Sequence, residues 1–243
     1  MARVSSRLSS VRAKGGRTVD SVGAVVPAYQ AATILRPTLA ELTTRLPVVV
    51  VDDGSTDGTA EIAHQAGAWQ VLRQDRRRGP GAAVHAGFSF LQEHHFKVGV
   101  VLDADGQMDV DALDHLLSPL RKGQAALVRG SRFEPDSGAC TVPWLRRQAA
   151  RSLTPLASQR VGQSIRDPLS GYVALDLNYL PDWLWPGYGY PIHLAAQVGS
   201  EGGKITHVPV PSRRPQGGVS RHGLHRLFTV GGALWASGRF KHR

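Results

Sequence analysis

The stretch VVVVDDGSTDGT, residues 48–59, decides the fold. Four consecutive valines make a strand buried on both faces, because such strands read as continuous aliphatic runs instead of alternations. Two carboxylates, Asp52 and Asp53, end the run, Gly54 and Ser55 turn the chain, and Thr56 or Asp57 is placed to cap a helix. Strand, acidic end, tight turn and helix form one unit of a parallel α/β sheet, where ligands bind beyond the carboxyl ends of the strands. Asp53 is therefore placed to accept hydrogen bonds from a base N–H or a ribose hydroxyl. Asp52 is equally suited to capping the turn.

Working outward, short β-branched and aliphatic runs recur at 22–27, 47–52, 69–73, 97–103, 125–130 and 204–210. Segments with helical spacing lie between the first five, at 31–45, 57–66, 81–94 and 109–122. This alternation predicts an α/β domain with a mainly parallel central sheet, flanked by helices through right-handed crossovers. After Arg132 the pattern changes. Residues 134–143 read as a loop, and 143–160 as a helix with Arg146, Arg147 and Arg151 near one face. Residues 183–191 (WLWPGYGYP) read as a turn-rich aromatic patch, and 208–220 as a loop. Residues 224–240 (LHRLFTVGGALWASGRF) predict an amphipathic segment, weakened by Gly231 and Gly232. The expected division is a basic arm (1–20), a catalytic α/β domain (21–221) and a basic amphipathic tail (222–243).

A chain of 243 residues with 42% hydrophobic content can bury a real core. One cysteine, Cys140, excludes a disulfide framework and a Cys-based zinc cluster, and makes a reducing, cytoplasmic setting the default. No run reaches the roughly 18–20 apolar residues of a membrane-spanning helix, and the N-terminus lacks the apolar centre of a secretory signal. The net charge of +10 is uneven: residues 1–19 and those after Glu201 hold basic residues and no acid, around an acidic middle. Such ends fit lipid headgroups, nucleic acid or a solvated periphery. Against nucleic acid, the chain has no recognisable nucleic-acid module, and its aromatics are not interleaved with the basic ends.

A second acidic strand end is VGVVLDADGQ, residues 98–107. Its strand is expected to neighbour the first. Asp103 and Asp105 stand at i and i+2, a spacing that puts both carboxylates on one side of an extended segment. Two hard oxygen donors together with pyrophosphate oxygens suit Mg²⁺ or Mn²⁺. Such a cation would neutralise charge on a departing nucleoside diphosphate.

Seven stretches now carry a resemblance: VVPAY (25–29), VDDGSTDGT (51–59), GPGAAVHAGF (79–88), DADGQ (103–107), GSRF (130–133), DPLSGY (167–172) and VPVPSRRPQGGVSR (208–221). In order and spacing they resemble the family 2 glycosyltransferases, and within these the polyprenyl-phosphate (dolichol-phosphate) sugar synthases. Each motif is modestly specific; seven in register are strongly so. The resemblance implies a GT-A fold and a metal-dependent hexosyl transfer that inverts the anomeric carbon. It implies that Pro27, Tyr29, Val51 and Asp53 surround the nucleotide. Asp103, Ala104, Asp105 and Gln107 would hold metal and diphosphate. Arg132, Arg147, Arg214, Ser220 and Arg221 would face a donor or acceptor phosphate, with Asp105, Arg132, Arg214 and Asp167 as catalytic residues.

The chain also departs from the family. Gln30 and Ala31 stand where Asn-Glu is usual, the Asn before Gly-x-Gly is replaced within 75–78, Pro80 replaces a common Lys, and Arg221 replaces a Lys. These changes bear on the donor's base and sugar more than on the reaction. At 190–194, where many relatives with hydroxyl acceptors carry an acid, the chain has Pro191, Ile192 and His193. A phosphate acceptor is already ionised and needs no base, so the expected acceptor is a polyprenyl phosphate. Asp167 and His193 remain candidate bases for the alternative, a soluble hydroxyl acceptor. Leu227, Phe228, Leu234, Trp235 and Phe240 would anchor the tail in an anionic membrane surface. The expected place is then peripheral, on the inner face of the cytoplasmic membrane, beside a separate membrane partner protein.

Overall fold

In the computed structural model, which describes residues 21–137, 142–213 and 231–237, the valine run becomes β2 (Val48–Asp52), buried at all five positions. The other strands are β1 (Val22–Ala28), β3 (Gln70–Arg73), β4 (Val98–Val101), β5 (Leu127–Ser131), β6 (Val173–Asp176) and β7 (Ile205–Pro209). The helices are α1 (Leu35–Leu42), α2 (Thr59–Gln65), α3 (Pro80–Glu93), α4 (Leu113–Arg121), α5 (Trp144–Val161) and α6 (Tyr190–Ser200). One sheet of order β3-β2-β1-β4-β6-β5-β7 runs through the domain. β1 pairs parallel with β2 and β4, β2 with β3, and β5 with β7, while β6 is antiparallel to β4 and β5. Strand order reverses at the β1–β4 pair, which makes this the switch point where α/β sheets open a crevice.

Alternate residues of the buried strands feed two cores, as the pleat requires. Val49 and Val51 join Phe88 and Leu91 of α3, Ala157 of α5 and Leu194 of α6 on one face. Val48 and Val50 join Leu35 and Leu39 of α1, Ala63 of α2 and Leu116 of α4 on the other.

Two elements are not anticipated by the sequence pattern, β6 and α6. The strand has only four residues. The helix begins inside the aromatic patch at 183–191, and Tyr190 to Ala196 and Val198 are all buried. A helix enclosed on every side carries no amphipathic period to read. Residues 231–237 are helical, with Ala233, Leu234, Ala236 and Ser237 buried. Leu234 belongs to the same core as α3 and α6, so it is not a membrane anchor as expected. Trp235 is exposed, and Leu227, Phe228 and Phe240 lie outside the described residues.

The glycines of the GPG segment set how closely α3 approaches the loop before α6. A Cβ on Gly81 would run into the carbonyl oxygen of Trp185, and the Gly81 N–H donates to the Pro186 oxygen at 2.8 Å. Around Gly231, by contrast, nothing stands within 4 Å of an added Cβ. Gly81→Ala is expected to destabilise the fold by about 1–3 kcal/mol, and Gly231→Ala to be neutral or stabilising by up to about 1 kcal/mol. Urea unfolding of the two variants checks both.

Candidate active site

The loop after β2 is built from its own side chains. Asp52 accepts the Ser55 N–H at 2.9 Å and closes the turn. Its other oxygen is buried without a hydrogen bond and lies 3.7 Å from Arg73. Gly54 has φ 75°, and a Cβ there would stand 2.7 Å from the main chain of Arg76. The remaining polar residues reach across to the loop after β1. Ser55, Thr59 and Asp57 accept the N–H groups of Gln30, Ala31 and Ala32 at 2.9, 2.9 and 3.1 Å. Gln30 has φ 51° and donates its side-chain amide to Thr56 at 3.0 Å. The two departures from the family pattern, Gln30 and Ala31, therefore sit in a loop held through its main chain.

Asp53 ties in a third loop. Its two oxygens accept the N–H groups of Arg78 and Gly79 at 2.7 and 2.9 Å. Burial raises the Asp53 pKa, against the lowering effect of these two amides and of the Arg77 charge. Tyr29, partly exposed at the end of β1, lies beneath the Arg77 guanidinium, 4.2 Å from its ring centre. Pro27 is paired with Val51 in the sheet. The Val51 side chain is fully buried in the core, so within the expected nucleotide set it packs against protein; Asp53 is buried as well, and Tyr29 is the exposed member of the set.

The second acidic end follows β4. It does not adjoin the first, because β1 stands between β2 and β4. The two strand ends are thus about two sheet spacings, roughly 10 Å, apart, with Tyr29 at the end of the strand between them. Asp105 accepts the Gln107 N–H at 3.1 Å, and the Ala104 carbonyl accepts the Thr38 hydroxyl at 3.2 Å. Asp103 lies beside Gly171 and Tyr190. Burial, and then the Asp103 charge, hold the Tyr190 phenol protonated well above its usual range. Arg213 donates its N–H to the Gln107 carbonyl at 3.0 Å, and its side chain pairs with Glu41 and Asp109 at 3.1 and 2.7 Å.

This donor set fits a hard divalent cation in a particular way. Among the described residues no group of three or more His, Cys, Asp or Glu side chains gathers around one point. Two carboxylates cannot cage Mg²⁺ or Mn²⁺ alone, but they match an ion whose remaining places go to phosphate oxygens and water.

On the other side of the cleft, Asp167 is fully buried and grips Arg132 through two parallel bonds, Nε to Oδ2 at 2.7 Å and Nη2 to Oδ1 at 3.0 Å. Beneath them lies Arg129, which sequence reasoning missed. It is fully buried and donates to the carbonyls of Pro191, Asp167 and Pro168. Burial pulls its pKa down to about 10, with the Asp167 charge acting in the opposite direction. A lone arginine in a strand gives no signal of this role beyond its position immediately before the GSRF motif. Arg147, in the first turns of α5, has its Nε buried without a hydrogen bond. His193 is buried edge-on to Trp183, and burial lowers its pKa to about 4. Arg214, Ser220 and Arg221 lie outside the described residues.

Comparison with known proteins agrees with this architecture. The family model described as Glycosyl transferase family 2 matches residues 24–180, well over half of the chain. An undecaprenyl-phosphate mannosyltransferase from Micrococcus luteus is 30% identical over 201 residues, covering 76% of this chain and 81% of that protein. A polyprenol monophosphomannose synthase from Mycolicibacterium smegmatis is 29% identical over 187 residues, covering 72% and 69%. Among solved structures, glucosyl-3-phosphoglycerate synthase from Mycobacterium tuberculosis, in complex with Mn²⁺, UDP and glucosyl-3-phosphoglycerate, superposes with a TM-score of 0.69 at 20% identity. The match covers 93% of this chain and 86% of that one. At that identity the likeness establishes the fold alone.

The burial of Asp167 gives it a structural duty that can be measured. Asp167→Asn is expected to cost about 3–4 kcal/mol in urea unfolding, the lower part of the buried-pair range because Arg132 keeps some solvent contact. Lost turnover at unchanged stability would instead return Asp167 to the role of base.

Proposed function

This chain belongs to glycosyl transferase family 2, and we propose that it transfers a hexose from a nucleoside diphosphate sugar to a polyprenyl phosphate at a membrane surface, inverting the anomeric carbon. The observation that carries the reading is the arrangement at the β1–β4 switch point, with Asp53 on one side of Tyr29 and Asp103 and Asp105 on the other. The names of the matched relatives, which act on lipid phosphates, support the same acceptor class.

In this reading each residue has a defined task. Tyr29 and Arg77 offer a flat face and a positive charge to the nucleotide, and Asp53 holds the 76–79 loop against them while its remaining lone pairs face the ligand. Asp103 and Asp105, with Gln107 beside them, hold the divalent cation. When bound, that ion neutralises the charge of the departing diphosphate as a Lewis acid. Arg132, fixed in orientation by Asp167, and Arg147, whose buried Nε lacks a partner, receive the acceptor phosphate. Arg214, Ser220 and Arg221 complete the phosphate contacts. The two candidate bases argue for an acceptor that is already ionised. Asp167 is enclosed by its arginines, and His193 is buried beside Trp183.

The place of action is the membrane surface. No helix among the described residues is long and apolar enough to cross a bilayer; in this reading contact with the lipid acceptor is peripheral, with or without a separate membrane partner.

Thermal shifts with UDP and GDP, each with and without Mn²⁺, test the donor: one nucleotide is expected to raise the midpoint only when the cation is present. Asp105→Asn is expected to lower transfer by at least about 100-fold with its unfolding midpoint unchanged. Transfer to a soluble hydroxyl acceptor and not to polyprenyl phosphate would refute the acceptor assignment.

A further inference from the structure

The reading above requires the acceptor phosphate to leave a bilayer and reach Arg132, so the surface beside the cleft mouth has to meet lipid. The chain leaves β5 at Ser131, and Arg132 then binds Asp167 at the cleft rim. The short helix Pro135–Ser137 stays at that rim, its Ser137 hydroxyl donating to the carbonyls of Arg132 and Glu134. Trp144 begins α5 seven residues after Ser137. The far end of α5 is fixed at the opposite edge of the sheet, where the Gln163 side chain bonds Gly203 and Ile205 at the start of β7. An 18-residue helix is about 27 Å long, whereas a five-residue strand such as β7 spans about 17 Å. At the other end, only seven residues of chain separate Trp144 from Ser137, so the first turn of α5 stands within about 25 Å of the Arg132 rim.

That first turn presents Trp144 at 65% and Leu145 at 73% exposure, followed on the solvent side by Arg151, Pro155 and Leu156. The inner side, Ala150, Ala157 and Val161, is buried against the domain. The helix sequence contains Arg146, Arg147, Arg151 and Arg160 and no acid. Exposed Trp and Leu combined with arginine and without carboxylates is the composition of a surface that enters the interface of an anionic bilayer. Of the tail residues from which such contact is expected on sequence, Leu234 has instead turned into the core, and Trp235 is exposed.

We propose that the N-terminal turn of α5, through Trp144 and Leu145 with Arg151 behind them, is the surface on which this protein docks to an anionic membrane, and that it sets the cleft mouth against the lipid acceptor. The docking surface deepens the proposed function and rests on it for the identity of the acceptor.

Co-sedimentation of the full chain with phosphatidylcholine vesicles, with and without phosphatidylglycerol, tests it at low and high salt. Binding is expected with phosphatidylglycerol and to fall with salt. The double substitution Trp144→Ser/Leu145→Ser is expected to weaken it at least about tenfold with an unchanged unfolding midpoint, while Trp235→Ser leaves it intact. Transfer to a long polyprenyl phosphate in vesicles should fall in parallel, with transfer to a short, water-soluble prenyl phosphate within about twofold of the parent. Unchanged vesicle binding by the double variant, or loss of binding in Trp235→Ser alone, overturns the docking surface. If neither lipid phosphate is glycosylated but the double variant still loses vesicle binding, the docking surface stands and the acceptor assignment fails.

Discussion

Buried carboxylates at strand ends must find donors, and here neighbouring main-chain amides provide them. Asp52 closes its own turn and Asp53 takes the amides of Arg78 and Gly79, while the exposed Asp57 of the turn reaches Ala32. Three loops from three separate strands are thereby joined at the switch point, with Ser55 and Thr59 adding bonds to Gln30 and Ala31. Each such bond contributes modestly in net terms, but a buried carboxylate without one is costly. The geometry of the rim is thus bound to the burial of β2. Tyr29 inherits its position from this arrangement, because the loop after β1 is held by side chains of the loop after β2.

The opposite side of the cleft follows a related rule with the charges reversed. Arg129 is a cation enclosed by protein, and main-chain carbonyls of the 167–170 loop and of Pro191 surround it. Asp167 lies between Arg129 and Arg132 and is bonded to the latter. One carboxylate between two guanidiniums leaves the group net positive. The same bonds join β5, the 167–170 loop and the start of α6.

How much of this was legible in the sequence depends on whether a residue's neighbours in the chain resemble its neighbours in space. The valine run and the acidic strand ends were readable, because a strand buried on both faces has a composition of its own and its polar end breaks that composition abruptly. The strand β6 and the helix α6 were not: one is four residues long, and the other is apolar on all sides and hides its period. Arg129 was invisible because an arginine in a sequence reads as surface, and only the fold reveals that carbonyls enclose it. Arg213 and Arg214 are adjacent and chemically identical, so nothing in the chain indicates that Arg213 ties the segment to Glu41 and Asp109. Asp53 is an intermediate case. Its place at a strand end was clear, whereas its two bonds to the 78–79 amides depend on a loop 25 residues away.

The central physical claim is that the protein supplies half of a cation site and the nucleotide supplies the rest. Cation and nucleotide should then strengthen one another's binding equally, as linkage requires. Electron paramagnetic resonance of Mn²⁺ titrated into the protein, alone and with a nucleoside diphosphate, reads this directly. The account predicts weak binding of Mn²⁺ alone, at least about tenfold tighter binding with the nucleotide, and loss of that gain in Asp105→Asn. Mn²⁺ binding that is equally tight without nucleotide, or a gain that survives Asp105→Asn, would contradict it.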